Sequence, residues 1–212
     1  LFVKFISIII FFFCISCSTS NMILLFEENI ISTFPDWVGS ISITIDSTKV
    51  ASDLINFPVL ISFPNNASLM GNAKPDGSDI FFVDETMTKL DHEIEEYDNS
   101  TGELVAWVRV PLLSSSTDTD IHLYYGNPSS PDQSNTTGVW DANYLTILHM
   151  NNDPAVPGGD QIKDSSLNSN HFSNDYGLTS GDSVNAYIGK GLNMVGKPIT
   201  RSGALSQPSS VT

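Results

Sequence analysis

At 212 residues and 41% hydrophobic content, the chain is long enough for one or two domains with packed cores. Its formal net charge of −15 counts against nucleic acid as a partner, because that binding is driven by Lys and Arg displacing phosphate counterions. The same charge suits an extracytoplasmic surface and a hard, oxygen-seeking cation such as Ca²⁺. Both cysteines, Cys14 and Cys17, fall in the first segment, which excludes a disulfide or a cysteine-ligated zinc site from the rest of the chain.

In residues 1–16 a single basic residue, Lys4, precedes an apolar run from Phe5 to Ile15. That run is too short to cross ~30 Å of hydrocarbon, which takes roughly 20 helical residues, and it has the length of a signal-peptide apolar region. Ser16-Cys17-Ser18 resembles the bacterial lipobox, with Cys14 where Leu is usual. The resemblance implies that Cys17 carries a lipid anchor and that the membrane is reached only through it. Ordinary cleavage after Ser16 and an uncleaved anchor are the alternatives. Residues 17–36 read as a linker.

From residue 37 the signals are those of strands. In residues 40–46, Ile41, Ile43 and Ile45 alternate with Ser42 and Thr44, the period of two that a half-buried strand requires. Pro58 cannot donate to a ladder in mid-sheet and is expected at the start of a strand over 59–63. Residues 64–79, rich in Asn, Pro, Gly and Asp, read as a loop, and 80–83 as a short buried run. Residues 94–97 and 103–110 flank a run of turn formers in which Gly102 takes positive φ at little cost, so they read as a hairpin. A third strand over 121–125 completes an expected three-stranded antiparallel meander. No segment of useful length has helical period.

Five motifs in this region stand together: Asn56-Phe57-Pro58-Val59-Leu60-Ile61, Asp76-Gly77-Ser78-Asp79-Ile80, Leu90-Asp91-His92-Glu93-Ile94, Ala106-Trp107-Val108-Arg109-Val110-Pro111 and Tyr124-Tyr125-Gly126-Asn127. Their order and spacing over about 37–127 resemble the family known only as domain of unknown function 2341, found in secreted and surface-attached prokaryotic proteins. The resemblance implies a fold and a cellular context, and no activity.

Residues 128–138 read as a Ser/Pro/Asn/Thr-rich linker. The strand expected over 144–150, the loop from Asp164 to His171 and the run Gly189-Lys190-Gly191-Leu192-Asn193-Met194 then follow in order. They resemble the opening of a laminin-G-like, concanavalin A-like lectin/glucanase jelly roll, with Met150, Leu167 and Met194 as departures. Only about the first third of such a domain is covered, so 139–212 is expected to be poorly packed. The fold class expected is all-β: an antiparallel β-sandwich over 37–127, then an incomplete jelly-roll β-sandwich.

Candidate chemistry is sparse. Asp91, Glu93 and Glu95 share one side of a strand at roughly 6–7 Å intervals, as a glycosidase pair or, more simply, as a solvated acidic face. His92, His122, His149 and His171 show no metal-like spacing, and there is no Gly-x-Ser-x-Gly elbow or phosphate-binding glycine loop. Asp164, Asn168 and Asn170 offer oxygens to Ca²⁺ or form a hydrogen-bonded turn. Trp107, Tyr124 and Tyr125 form a sugar platform or pack in the core. The expected function is a non-enzymatic secreted or surface-anchored module that binds glycan or another surface polymer. The alternatives are the non-catalytic N-terminal part of a larger secreted glycan-degrading enzyme, and a structural scaffold without a small ligand.

Overall fold

The computed structural model describes residues 34–158, 160–201 and 205. The expected signal segment and the expected lipid anchor at Cys17 lie outside them, as does all but the end of the expected 17–36 linker. Strands β1 (Gly39–Ile45), β2 (Leu54–Phe63), β3 (Phe81–Asp84), β4 (Lys89–Leu90), β5 (His92–Asp98), β6 (Glu103–Leu113) and β7 (Thr119–Tyr125) build two antiparallel sheets. The first has the order β1-β7-β3-β4 and the second β2-β6-β5. Helical turn α1 (Thr136–Val139) follows, and strands β8 (Ser183–Asn185) and β9 (Lys190–Leu192) pair separately. The protein is all-β.

The two sheets face each other across one core. From β6 the inward residues are Leu104, Ala106, Val108 and Val110; from β7 they are Ile121, Leu123 and Tyr125; Phe82 of β3 is fully buried between them. Ile41, Ile43 and Ile45 pack against this cluster from β1, as their alternation requires. The loop before β3 also contributes, since Leu69 is wholly buried and its carbonyl accepts from Tyr97 Oη at 2.9 Å.

The β5–β6 hairpin forms as expected, with Gly102 at φ +72°. The meander does not. β7 leaves β6 and crosses to the first sheet, where it pairs with β1 and β3. Periodicity tells which side chains are buried; it does not tell whether the next strand lies beside the last or across the core from it. Pro58 is also displaced from its expected place: it sits inside β2, opposite Arg109. β2 is an edge strand, a position in a sheet where a missing N–H is tolerated.

Residues 128–138, expected as a linker, are tied to the sandwich. Gln133 N–H donates to Ser78 O at 2.9 Å and Asn135 N–H to His92 O at 2.9 Å. Val139 and Trp140, which follow, are buried. The strand expected over 144–150 is an irregular chain, because its hydrogen bonds run to side chains and to loop backbone rather than to a neighbouring strand. Beyond it, the described residues carry the β8–β9 pair and two isolated bridges, Ile162 with Phe172 and Ser173 with Thr200. All described residues belong to one compact unit.

Candidate functional site

A buried cluster of titratable side chains lies on the outer face of the second sheet. Along β5 the register against β6 slips between Ile94 and Glu96, so Glu95 is an extra residue in a bulge. Glu93 pairs with Trp107, and the bulge presents Glu95 to the same face. Val105 and Trp107 of β6 also point outward, yet Val105 is 3% exposed. The second sheet is therefore covered on both faces, and residues beyond Val139 supply much of the cover.

His149 lies between the two glutamates. Its Nε2 is 3.1 Å from Glu93 Oε2 and its Nδ1 is 3.1 Å from Glu95 Oε2. A ring with a carboxylate at each nitrogen donates at both, so it is the imidazolium. The side chains of His149, Glu93 and Glu95 are 9%, 11% and 5% exposed. Two indoles complete the arrangement: Trp107 Nε1–H donates to Glu95 Oε2 at 2.8 Å and Trp140 Nε1–H to Glu93 Oε2 at 2.8 Å. Ser165 Oγ–H donates to Glu93 Oε1 at 2.5 Å, and Asn151 Nδ2 to the Glu95 carbonyl at 2.8 Å. The Trp107 ring stacks on His149 with centroids 6.1 Å apart, and Trp140 lies 5.3 Å from Trp107.

Burial alone lowers the pKa of the His149 imidazole, but hydrogen bonds to Glu93 and Glu95 and their charges outweigh it and lift the value to about 9. Burial likewise raises Glu93, and the His149 hydrogen bond and charge, with Ser165 and Trp140, outweigh it and hold the carboxyl below its ordinary range. An imidazolium with both protons engaged is neither a general base nor a metal ligand at neutral pH. The glutamates that resemble a glycosidase pair in sequence are thus brought together, but around a histidine and beneath two indoles. Asp91 is not part of the cluster; its Oδ1 accepts from Asn135 Nδ2 at 2.7 Å.

The other expected site residues are dispersed. Trp107 is in this cluster on the second sheet, and Tyr124 is on the outer face of the first, stacked on Phe81 at 5.3 Å. Tyr125 points into the core, so the three make no common platform. Asp164 accepts from the N–H groups of Ile147 at 2.7 Å, Ser166 at 2.9 Å and Asn170 at 2.6 Å, and from Ser166 Oγ at 2.8 Å. Asn168 and Asn170 each donate an Nδ2 hydrogen bond to Leu145 O. That is how a hydrogen-bonded loop uses these groups. Among the described residues, no group of three or more His, Cys, Asp and Glu side chains is placed to hold a metal ion.

His92 has a different fate from His149. It is fully buried against Phe82, its Nε2 is 3.0 Å from Ile80 O, and burial lowers its pKa. Near it, Asp79 Oδ1 accepts from Lys74 N–H at 2.8 Å and Oδ2 from Gly126 N–H at 3.1 Å, which ties two loops together. A separate cleft of about 370 Å³ opens where the β3–β4 turn meets the β6–β7 loop. Its Asp84, Asp118 and Asp120 each spend an oxygen on a hydroxyl donor, Thr86, Ser47 and Thr44 respectively.

Residues 76–151 match the family model described as Domain of unknown function (DUF2341). The match begins after the Asn56–Ile61 motif and runs through the expected linker to Asn151, so Glu93, Glu95, Trp107, Trp140 and His149 all fall within it. No curated protein and no solved structure matches the chain.

Proposed function

We propose that the chain is a non-enzymatic, secreted or surface-anchored module that binds glycan or another surface polymer on the outer face of the first sheet. The observation that carries this reading is a ladder of outward pairs between β1 and β7: Ser40 with Tyr124, Ser42 with His122, Thr44 with Asp120. All three β1 members are exposed, and the three β7 members are half-buried. Ser42 Oγ is 3.0 Å from His122 Nδ1, and Thr44 Oγ1 donates to Asp120 Oδ1 at 2.5 Å. An aromatic ring at one end of a row of hydroxyl, imidazole and carboxylate groups is what a sugar chain recognises, stacking on the ring and hydrogen-bonding along the row. The saturated Glu93–His149–Glu95 cluster supports a binding role over a catalytic one.

The secreted address rests on Lys4, the apolar run and Cys17, and the likeness of 139–196 to the opening of a laminin-G-like jelly roll belongs to the same reading. A glycan array probed with the full chain tests it, with and without Ca²⁺. Tyr124→Ala should cost about tenfold in affinity for any hit, or roughly 1.4 kcal/mol, and Trp107→Phe nothing. Binding that survives Tyr124→Ala and His122→Ala unchanged sinks the proposal. If Cys17 carries lipid, Cys17→Ser moves the protein out of the membrane fraction.

A further inference from the structure

Among the described residues, every member of the sandwich's hydrophobic core comes from residues 41–125, and none from 140–171. What holds the latter on the second sheet is the packing of Trp140 and His149 on Trp107 together with the polar contacts of the outer-face cluster, through Trp140 and Ser165 on Glu93, His149 on both glutamates, and Asn151 on the Glu95 carbonyl. Attachment that depends on two carboxylates while the core does not is an arrangement in which one part can open without the other.

We propose that Glu93, Glu95 and His149 form an acid-opened latch, which holds residues 140–171 on the second sheet near neutral pH and releases them in acid. Opening bares the indole faces of Trp107 and Trp140 while the sandwich stays folded.

The charged and titratable neighbours come from both strands of the β5–β6 hairpin and from the segments packed on it; on β6, Arg109 Nη1–H donates to Gly138 O at 3.1 Å. β5 supplies Glu93, Glu95 and Glu96, and Glu96 is paired with Lys190 of β9 at 3.2 Å. The 160–171 loop supplies Asp164, engaged by its own loop and Ile147, and His171, whose Nδ1 accepts from Asp164 N–H at 2.9 Å. Residues 140–151 supply Asp141, bonded to Asn143, and Tyr144, edge-on to Trp140. Asp76 and Asp132 line a cleft beside Glu93. Only Glu93 and Glu95 make ion pairs with His149 among the described residues.

The direction follows from these partners. Glu93 is held below its ordinary value of 4.5, so its contribution is complete above that pH and is lost as pH falls through the folded value. His149 stays protonated throughout and is left as a buried cation without a counter-charge, which ejects it.

Hydrogen exchange of the full chain, stepped from neutral pH into acid and corrected for intrinsic rates, tests the latch. Amides of 140–171 should speed up by ~10-fold or more, while those of β6 keep their protection. The isosteric double variant Glu93→Gln/Glu95→Gln should already be open at neutral pH and show no acid step. Asp164→Asn should keep the wild-type step. The proposal is overturned if 140–171 and β6 lose protection together, if the double variant keeps the step or fails to fold, or if Asp164→Asn abolishes it.

Discussion

His92 and His149 show how differently one residue type is used. Both are buried, yet His92 faces carbonyl oxygens and His149 faces carboxylates, so burial prevails in the first and charge in the second. His149 is raised, so its contribution to stability is whole below the ordinary imidazole value of 6.5 and is lost as pH climbs through about 9. An NMR titration should accordingly find its midpoint near 9, and a midpoint near 6.5 would remove the ion pairs from solution. His149→Gln leaves two buried carboxylates without their cation, and the cost of about 3–5 kcal/mol should be read as lost hydrogen-exchange protection of 140–171 rather than of β6. Trp107→Phe keeps the ring but strips one donor from Glu95, and should cost roughly 1–3 kcal/mol. In the sequence, the acidic row on β5 is readable from its alternation. The histidine that answers it lies 56 residues downstream of Glu93, and nothing local marks the two as partners.

Turns and faces were legible at the level of elements, and neighbours were not. The 98–102 turn was readable because only a few residue types suit it, and Gly102 does take the left-handed conformation. The reason is stronger than conformational freedom: a Cβ there would overlap the Asn66 carbonyl oxygen, which also accepts from Leu69 and Met70 N–H. Gly102→Ala should therefore lose more than the roughly 1–2 kcal/mol of a left-handed alanine, and the lowered melting temperature should come with loosened amides at 66–70. A variant as stable as the parent would mean that the hairpin tip does not rest on that loop. Pro58 was legible as a residue unfit for a central strand, but whether it begins a strand or edges a sheet depends on β6, which lies some fifty residues on. The choice of partner for β7 was invisible for the same reason, since both alternatives bury Ile121, Leu123 and Tyr125.

For the whole molecule, the composition of 128–138 suggested a boundary that the hydrogen bonds do not respect. Low apolar content marks a segment without its own core; it says nothing about polar anchors on another element, such as Gln133 on Ser78 or Asn135 on His92. The same holds for 140–171, which is rich in Ser, Asn and Asp and adds polar anchors on Glu93 and Glu95 to the burial of Trp140 against Trp107. Limited proteolysis near neutral pH distinguishes the two descriptions. Residues 128–150 carry buried Val139 and Trp140 and the His149 ion pairs, so they should resist. The first cuts should fall at the tip of the β8–β9 pair, where Tyr187 is fully exposed and Ile188 partly so. A resistant core that ends near Asn127 would restore the independent-linker description. With His149→Gln, the anchor of the 140–151 chain is lost while the 41–125 core is untouched, so cleavage after Trp140 should become early rather than late. If His149→Gln leaves the order of cuts as it is in the parent, the ion pairs do not hold this segment, and its protection must come from packing alone.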